Sequence, residues 1–467
     1  MSEPSPPTLD RAYRVRLRPT PAQALMLRRI FGARRAVWNW ALAEQAPARA
    51  RGEKRPGLTS LSAAFTTRRS TGETAWLSQL PREPFNQTLR DLEAAWTRFF
   101  KGQNRRPTRK RFGTVNAARF TLDQRRAGLV TIAGKTGRVQ LDGIGRVRFR
   151  VTEEMTGRLR SVTVSVDPAG RWFASFTADQ VPAVAALPAE RESIGIDLGL
   201  KDTAVLSDGT RVAAAKSLTT KRKRLRRYQR SYNRGRDTQL RASGLDPRKP
   251  IPKGTRIPSS NRMRQRKAQI GRLHAQVADA RRDHQHQLTS RAVAKAEVIG
   301  IEDLAVKAMG QALHRGFRRS VADAGLGEIR RQLTYKASWQ GRIVSVVDRY
   351  YPSSKTCSAC RAVNAALTLR DRVWTCSPCG SEHDRDANAA TNIEREALRR
   401  LAEGSGDSPA TPRSGGRKAR GADACAAGRT SPAGQPTARK RELSYRGAQR
   451  RPPAKAQHDV SPPVGEG

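Results

Sequence analysis

Acidic residues are scarce in this chain: 41 Asp and Glu stand against 90 Lys and Arg over 467 residues, a formal charge of +49 at pH 7. That imbalance excludes an ordinary small-molecule enzyme as the first reading and makes a polyanion the expected partner. Long apolar runs are missing as well. No stretch approaches the ~18 uninterrupted apolar residues of a membrane span. The opening MSEPSPPTLD lacks the basic and apolar regions of a secretory signal, so no membrane partner is expected and a cytoplasmic location is. Cysteine is rare too, five in all, and four of them are tightly clustered. This excludes a disulfide framework and points to metal ligands in a reducing compartment. Aromatics make up 5% and hydrophobic residues 37%, which supports folded domains only where the apolar residues are concentrated. At about 150 residues per domain the length predicts roughly three units.

What is there falls into three textures. Thr20-Pro21 supplies an N-cap and a first-turn proline, and Leu27, Ile30, Phe31, Val37, Trp38 and Leu42 then recur at helical spacing between arginines. Leu89, Leu92, Trp96 and Phe99 predict a second amphipathic helix from about Glu83 to Lys101. Trp38, Trp40 and Trp96, lying at helical spacing, are expected in a core rather than stacked on bases. From about 114 to 180 the period shortens to two, with Val162, Val164 and Val166 or Val147 and Phe149 alternating with polar residues, which predicts a β-barrel or sandwich. Past Gly195 strands alternate with long basic helices, the pattern of an α/β domain. His284 and His286, two apart on one of these helices, fall on different faces and are expected at a surface rather than on a metal. After about Glu403 large apolar residues nearly vanish, and the chain to Gly467 is expected to be disordered.

Two constellations carry chemistry. Cys357-x2-Cys360, fifteen residues, then Cys376-x2-Cys379 has the spacing of a zinc ribbon, in which each pair presents two thiolates to one tetrahedral ion. Four thiolates close the coordination sphere, so the site is structural and His383 is not needed as a ligand. The other constellation is acidic. Ile194-Gly195-Ile196-Asp197 and Ile299-Gly300-Ile301-Glu302 are paired Gly-Ile-acid strands, in which each glycine shares a face with its acid and is expected to leave room for ions or a sugar-phosphate backbone. Asp384 and Asp386 stand at the start of a predicted helix, where anions are favoured. Brought together, such carboxylates could hold a divalent pair for phosphodiester hydrolysis. Each taken singly is more readily a turn-forming or helix-capping Asp, and the paired Gly-Ile-acid strands only bring the two readings level.

In order along the chain, Ile194 to Leu200 (IGIDLGL), Ile301 to Leu304 (IEDL), Pro352 to Cys357 (PSSKTC) with its cysteine ribbon, and Asp384 to Ala390 (DRDANAA) resemble the signature of the TnpB (OrfB) family. These are insertion-sequence-encoded, RNA-guided DNA endonucleases related to type V CRISPR effectors. Arg14 to Leu17 followed by Trp38-Asn39-Trp40 resembles the family's opening segment, so the likeness runs from residue 11 to about 400.

The resemblance implies a multidomain α/β protein. An RNase H-like (RuvC) nuclease domain would span 191–403, with the four-cysteine zinc ribbon inserted at 351–383. A β-barrel wedge domain (1–17 and 104–190) would be interrupted by a helical recognition domain (18–103), and the tail at 404–467 has no counterpart. It further implies that Asp197, Glu302 and Asp386 are the catalytic acids and hold a Mg2+ pair, Asp386 being preferred to Asp384 because the family's acid immediately precedes x-Asn-Ala-Ala. Zn2+ would sit on Cys357, Cys360, Cys376 and Cys379. The implied partners are a guide RNA from the element's end and target double-stranded DNA, met at the nucleoid of a prokaryote. The other reading is a non-cleaving DNA-binding regulator or accessory transposition protein of the same fold, against which the full set of acids counts.

Overall fold

The structure is a computed structural model, and it describes residues 8–404 apart from 112, 114–115, 123–128, 183–187, 253–254, 256, 313–314 and 369. The tail expected to be disordered and its Cys425 lie outside the described residues.

The first strand, β1 (Thr8–Arg18), alternates buried Tyr13, Val15 and Leu17 with outward arginines. Helix α1 (Pro21–Glu44) starts as the sequence predicts, closed by a capping box between Thr20 and Gln23 with Pro21 in the first turn. Three more helices follow, α2 (Ala46–Ala50), α3 (Leu58–Ser70) and α4 (Glu83–Phe100). Then come β2 (Ala117–Thr121), β3 (Val130–Ala133), β4 (Thr136–Leu141), β5 (Gly145–Arg150), β6 (Arg158–Val166) and β7 (Trp172–Pro182). Together with β1 they form one antiparallel sheet in the order β2-β6-β7-β1-β5-β4-β3.

This is a half-barrel with β2 and β3 at its edges, where a closed barrel or a sandwich was expected. The reason is what covers its apolar face. Tyr13, Val15, Leu17, Val162, Val164 and Phe176 share one core with Leu27, Ile30, Phe31, Leu89, Leu92 and Trp96 of α1 and α4, so helices do the work of a second sheet.

The second sheet has the order β10-β9-β8-β11-β12. Its strands are β8 (Arg191–Asp197), β9 (Asp202–Leu206), β10 (Arg211–Ala213), β11 (Ala296–Glu302) and β12 (Ile343–Val347). The first three run antiparallel to one another, whereas β11 and β12 lie parallel to β8. Between β10 and β11 the basic helices α5 (Ser217–Ala242) and α6 (Asn261–Lys295) meet at Leu225, Tyr228 and Leu273. After β11 come α7 (Val306–Ala312), α8 (Arg315–Ala324) and α9 (Leu326–Trp339). Ile194, Ile196, Ile299 and Ile301 pack against Leu288, Val293, Ile329 and Leu333 of α6 and α9.

The opposite face is covered by α10 (Arg385–Ala402), which follows the two-stranded ribbon hairpin β13 (Val373–Thr375) and β14 (Glu382–Asp384). Gly195 and Gly300 are register partners on β8 and β11. A Cβ on Gly195 would overlap the Ala390 carbonyl and stand 2.5 Å from the Glu394 nitrogen, and one on Gly300 would lie 2.8 Å from the Ala397 Cβ. The space these glycines vacate is therefore filled by α10, not by an ion or a sugar-phosphate backbone. Their consequence for the site is indirect, because α10 is seated close against both strands with the charge of its first-turn Asp386 near enough to act on Asp197.

Candidate active site and metal centre

Asp197 closes β8 and Glu302 closes β11. With Ile196 opposite Ile301 in parallel register, the two acids emerge side by side. Asp386 lies in the first turn of α10. The charges of Glu302 and Asp386 both act on Asp197, although among the described residues the three acids do not form a group close enough to hold a single ion. Asp197 is pushed up to about 7, first by burial and then by the negative charges of Glu302 and Asp386, with Arg385 and Arg372 acting the other way. Burial also raises Glu302, partly offset by a hydrogen bond from Ser353.

The two aspartates of the DRDANAA segment divide the labour. Asp384 is the N-cap, accepting from the backbone amides of Asp386 (3.1 Å) and Ala387 (2.9 Å), and it pairs with Arg211 at 2.7 Å. The capping role open to any Asp at a helix start thus falls to Asp384, which leaves Asp386 to face Asp197. Arg372 donates to both Asp386 oxygens at 3.0 and 3.1 Å. It lies just before β13, and sequence reasoning missed it because it is one arginine among many.

Glu302 has a built surrounding. Ser353, 5% exposed, donates its hydroxyl to Glu302. The turn carrying Ser353 is gripped by two buried asparagines one helical turn apart on α10. Asn388 donates to the Thr356 carbonyl at 2.7 Å, and Asn392 donates to the Ser353 and Thr356 carbonyls at 2.8 and 2.6 Å. Asn388 also accepts from the Ser358 amide at 2.9 Å. The ribbon's first cysteine pair begins inside this grip.

The four sulfurs of Cys357, Cys360, Cys376 and Cys379 lie within 4.8 Å of one another, the one group of three or more His, Cys, Asp or Glu side chains among the described residues placed to hold a metal ion. Cys357 and Cys379 are 3.7 Å apart and Cys360 and Cys376 3.5 Å apart. A tetrahedron with Zn–S bonds of about 2.3 Å has edges of about 3.8 Å, which these two spacings match, so the donor set fits zinc with at most small side-chain shifts in the wider pairs. Hydrogen bonds from Ser381 bring Cys379 down to about 6, toward the thiolate a metal requires, whereas burial pushes Cys376 up. His383 stands 3.0 Å from the Cys357 sulfur and packs at a tilt against Trp374, ring centres 5.0 Å apart, a neighbour of the cluster.

A cationic surface, also missed from sequence, covers the outer face of the first sheet. Arg16 lies opposite Arg150, Arg18 opposite Arg148, and Arg138 opposite Arg148. Like charges placed directly across strands are destabilising, and a bound polyanion relieves them. The signal was legible in the alternating RVRLR and RVRFR strings. Arg14 and Arg16 also stack on Phe173, at 4.2 and 5.1 Å from the ring centre.

The tryptophans expected in a core are placed there in two cases, Trp38 and Trp96, while Trp40 is half-buried. The two histidines expected at a surface are half-buried instead. His284 reaches Thr203 at 3.3 Å, and burial lowers the pKa of His286, because α6 packs along the second sheet and α9 rather than standing free.

Three family models match: "Helix-turn-helix domain" over residues 9–54, "Probable transposase" over 162–313 and "Cas12f1-like, TNB domain" over 327–393. In this structure the first of these ranges holds β1, α1 and the short α2. Among curated proteins, a "Putative RNA-guided DNA endonuclease" of Streptomyces pristinaespiralis is 33% identical over 402 residues, covering 86% of this chain and 92% of that protein. InsQ of Escherichia coli K12, named likewise, is 30% identical over 82% of this chain and 91% of its own length. A relative of the same description from Mycobacterium tuberculosis is 31% identical over 82% and 86%. A chain from the solved Cas12f1–sgRNA–target DNA complex covers 83% of this chain and 98% of its own, at 11% identity and a TM-score of 0.40, too distant to carry structural detail across.

Proposed function

The chain belongs to the TnpB (OrfB) family, and on that footing we propose that it is a transposable-element RNA-guided endonuclease that cleaves DNA beside a short motif by Mg2+-dependent phosphodiester hydrolysis. The observation that supports this reading is that Asp197 and Glu302 end neighbouring parallel strands, while the charge of Asp386, from a distant segment, acts on Asp197 together with that of Glu302. Such crowding is unfavourable in an empty site and is relieved by a divalent cation. The strand order β10-β9-β8-β11-β12, three antiparallel strands continued by two parallel ones, supports an RNase H-like (RuvC) domain at 191–403, with the ribbon inserted at 351–383.

Asp197, Glu302 and Asp386 would hold Mg2+. Bound there, the ions activate water and stabilise the leaving oxygen. The chain's own groups do the rest. Arg372 and Arg385 beside Asp386 offer positive charge to a phosphate, and the N-terminal end of α10 adds its dipole. Zn2+ on the four cysteines keeps the ribbon folded beside the cleft.

In the wedge-like region (1–17 and 104–190), the arginine face of the first sheet would grip nucleic-acid backbone, flanked by the helices of 18–103. Guide RNA pairing would then read the target sequence. No described helix is long and apolar enough to cross a membrane, and the protein would act at the nucleoid of a prokaryotic host.

The test is to co-express the chain with the 3′ flank of its own gene, purify the complex and incubate it in Mg2+ with a plasmid bearing the guide-matched target beside a randomised flank. Cleavage that requires the guide, one flank motif and Asp197 supports the endonuclease. Binding without cleavage by the wild type would overturn it in favour of a DNA-binding regulator.

A further inference from the structure

Nothing in the reading above assigns a role to the turn at Pro352–Thr356. That turn is nevertheless the best-anchored loop near the acids. Its Ser353 and Thr356 carbonyls are held by Asn388 and Asn392, both nearly fully buried, and its Thr356 hydroxyl folds back on the Pro352 carbonyl at 2.9 Å. Three amide-to-carbonyl bonds on two carbonyls of one turn are more than a surface turn needs. They fix the backbone from which the Ser353 hydroxyl projects onto Glu302.

Glu302 has reason to be held. It is half-buried at the end of β11, and the Ser353 hydroxyl meets one of its two oxygens. A carboxylate in that setting serves as a ligand best when it keeps one orientation. A hydroxyl donated to one oxygen fixes the carboxylate's orientation and leaves the second oxygen available to an ion.

We propose that Ser353 is the positioning residue of the divalent-cation site: its hydroxyl, anchored through Asn388 and Asn392 to the helix that bears Asp386, orients the Glu302 carboxylate for metal. The same turn runs directly into Cys357, so the ribbon's first cysteine pair and the Glu302 contact share one piece of backbone, and ordering one orders the other. This inference rests on the reading of Glu302 as a metal ligand.

The experiment measures metal binding apart from cleavage. Zinc-loaded full-length chain is titrated with Mn2+ and the free ion is followed by paramagnetic resonance, with Mg2+ as competitor. The variants are Ser353→Ala, Ser353→Thr and Glu302→Gln, each checked for zinc content and melting temperature. Ser353→Ala should bind Mn2+ roughly tenfold more weakly, the scale of a lost hydrogen bond to a charged group. Its zinc content should stay at the wild-type level, and Ser353→Thr, which keeps the hydroxyl, should restore affinity. Weak binding by Glu302→Gln together with wild-type binding by Ser353→Ala would overturn the role of Ser353 alone. Wild-type binding by Glu302→Gln would overturn the ligand reading and the inference with it.

Discussion

Replacing Asp197 by Asn should make the protein more stable, provided Mg2+ is withheld. Asp197 is pushed up to about 7 from the ordinary Asp value of 3.8, with burial as the largest cause and the charges of Glu302 and Asp386 next. A carboxyl whose folded pKa is raised binds its proton more tightly in the folded state than in the unfolded one. Its contribution is therefore fully present below 3.8 and is lost as pH climbs through about 7. At pH 8 the loss implied by that interval is on the order of 4 kcal/mol, and at pH 5 about 2 kcal/mol.

An amide of similar shape carries no such dependence at this position. Zinc-loaded wild type and Asp197→Asn should be compared by thermal or urea unfolding in Mg2+-free buffer from pH 5 to 8, then again with Mg2+ added. The variant should be the more stable at pH 8, its advantage shrinking by about 2 kcal/mol toward pH 5. Added Mg2+ should raise the wild type and leave the variant nearly unchanged, because only the wild type can bind the ion there. If the two proteins unfold together at pH 8 without Mg2+, the charges of Glu302 and Asp386 do not act on Asp197 and the reasoning fails.

Three further outcomes follow from the same geometry. Gly195→Ala should cost about 1–3 kcal/mol by overpacking and lower the melting temperature, because its new methyl meets the Ala390 carbonyl on α10. It should also blunt the stabilisation by Mg2+, since Asp386 moves with the helix; an unchanged melting temperature would contradict the close seating of α10. Cys376→Ser should abolish stoichiometric zinc, read by elemental analysis of the purified protein, and open residues 351–383 to proteolysis, whereas Cys425→Ser should leave zinc content unchanged. Arg148→Ala, which removes one partner of both Arg18 and Arg138, should weaken RNA binding and flatten its dependence on log salt by up to about one unit of slope. A loss of affinity with the salt slope unaltered would argue against a phosphate contact.

Several features of this protein were set by short stretches of sequence, and the structure keeps them because the forces behind them are local. Thr20, Pro21 and Gln23 are enough to start α1, since a cap needs only hydrogen bonds within one turn. The alternation in RVRLR commits β1 to one apolar and one cationic face whatever it pairs with. The two CxxC pairs lie in turns short enough that each brings its thiolates together by itself.

Other features depended on which elements pack against which. The period-two strands did not reveal whether their apolar face would meet a second sheet or a pair of helices; burying α1 and α4 there decided it. The glycines of β8 and β11 were recognisable as places without side chains, but only the approach of α10 shows that a helix fills the space. Nor could spacing separate the capping Asp384 from the acid-facing Asp386, or single out Ser353 and Arg372, since each acquires its partner across a gap the chain closes only on folding. The candidate acids were named from the sequence through a family resemblance. Their approach to one another, and the repulsion that makes the site a candidate for metal, arose from parallel register between β8 and β11 and from one helix laid across both, which are long-range contacts that no local window contains.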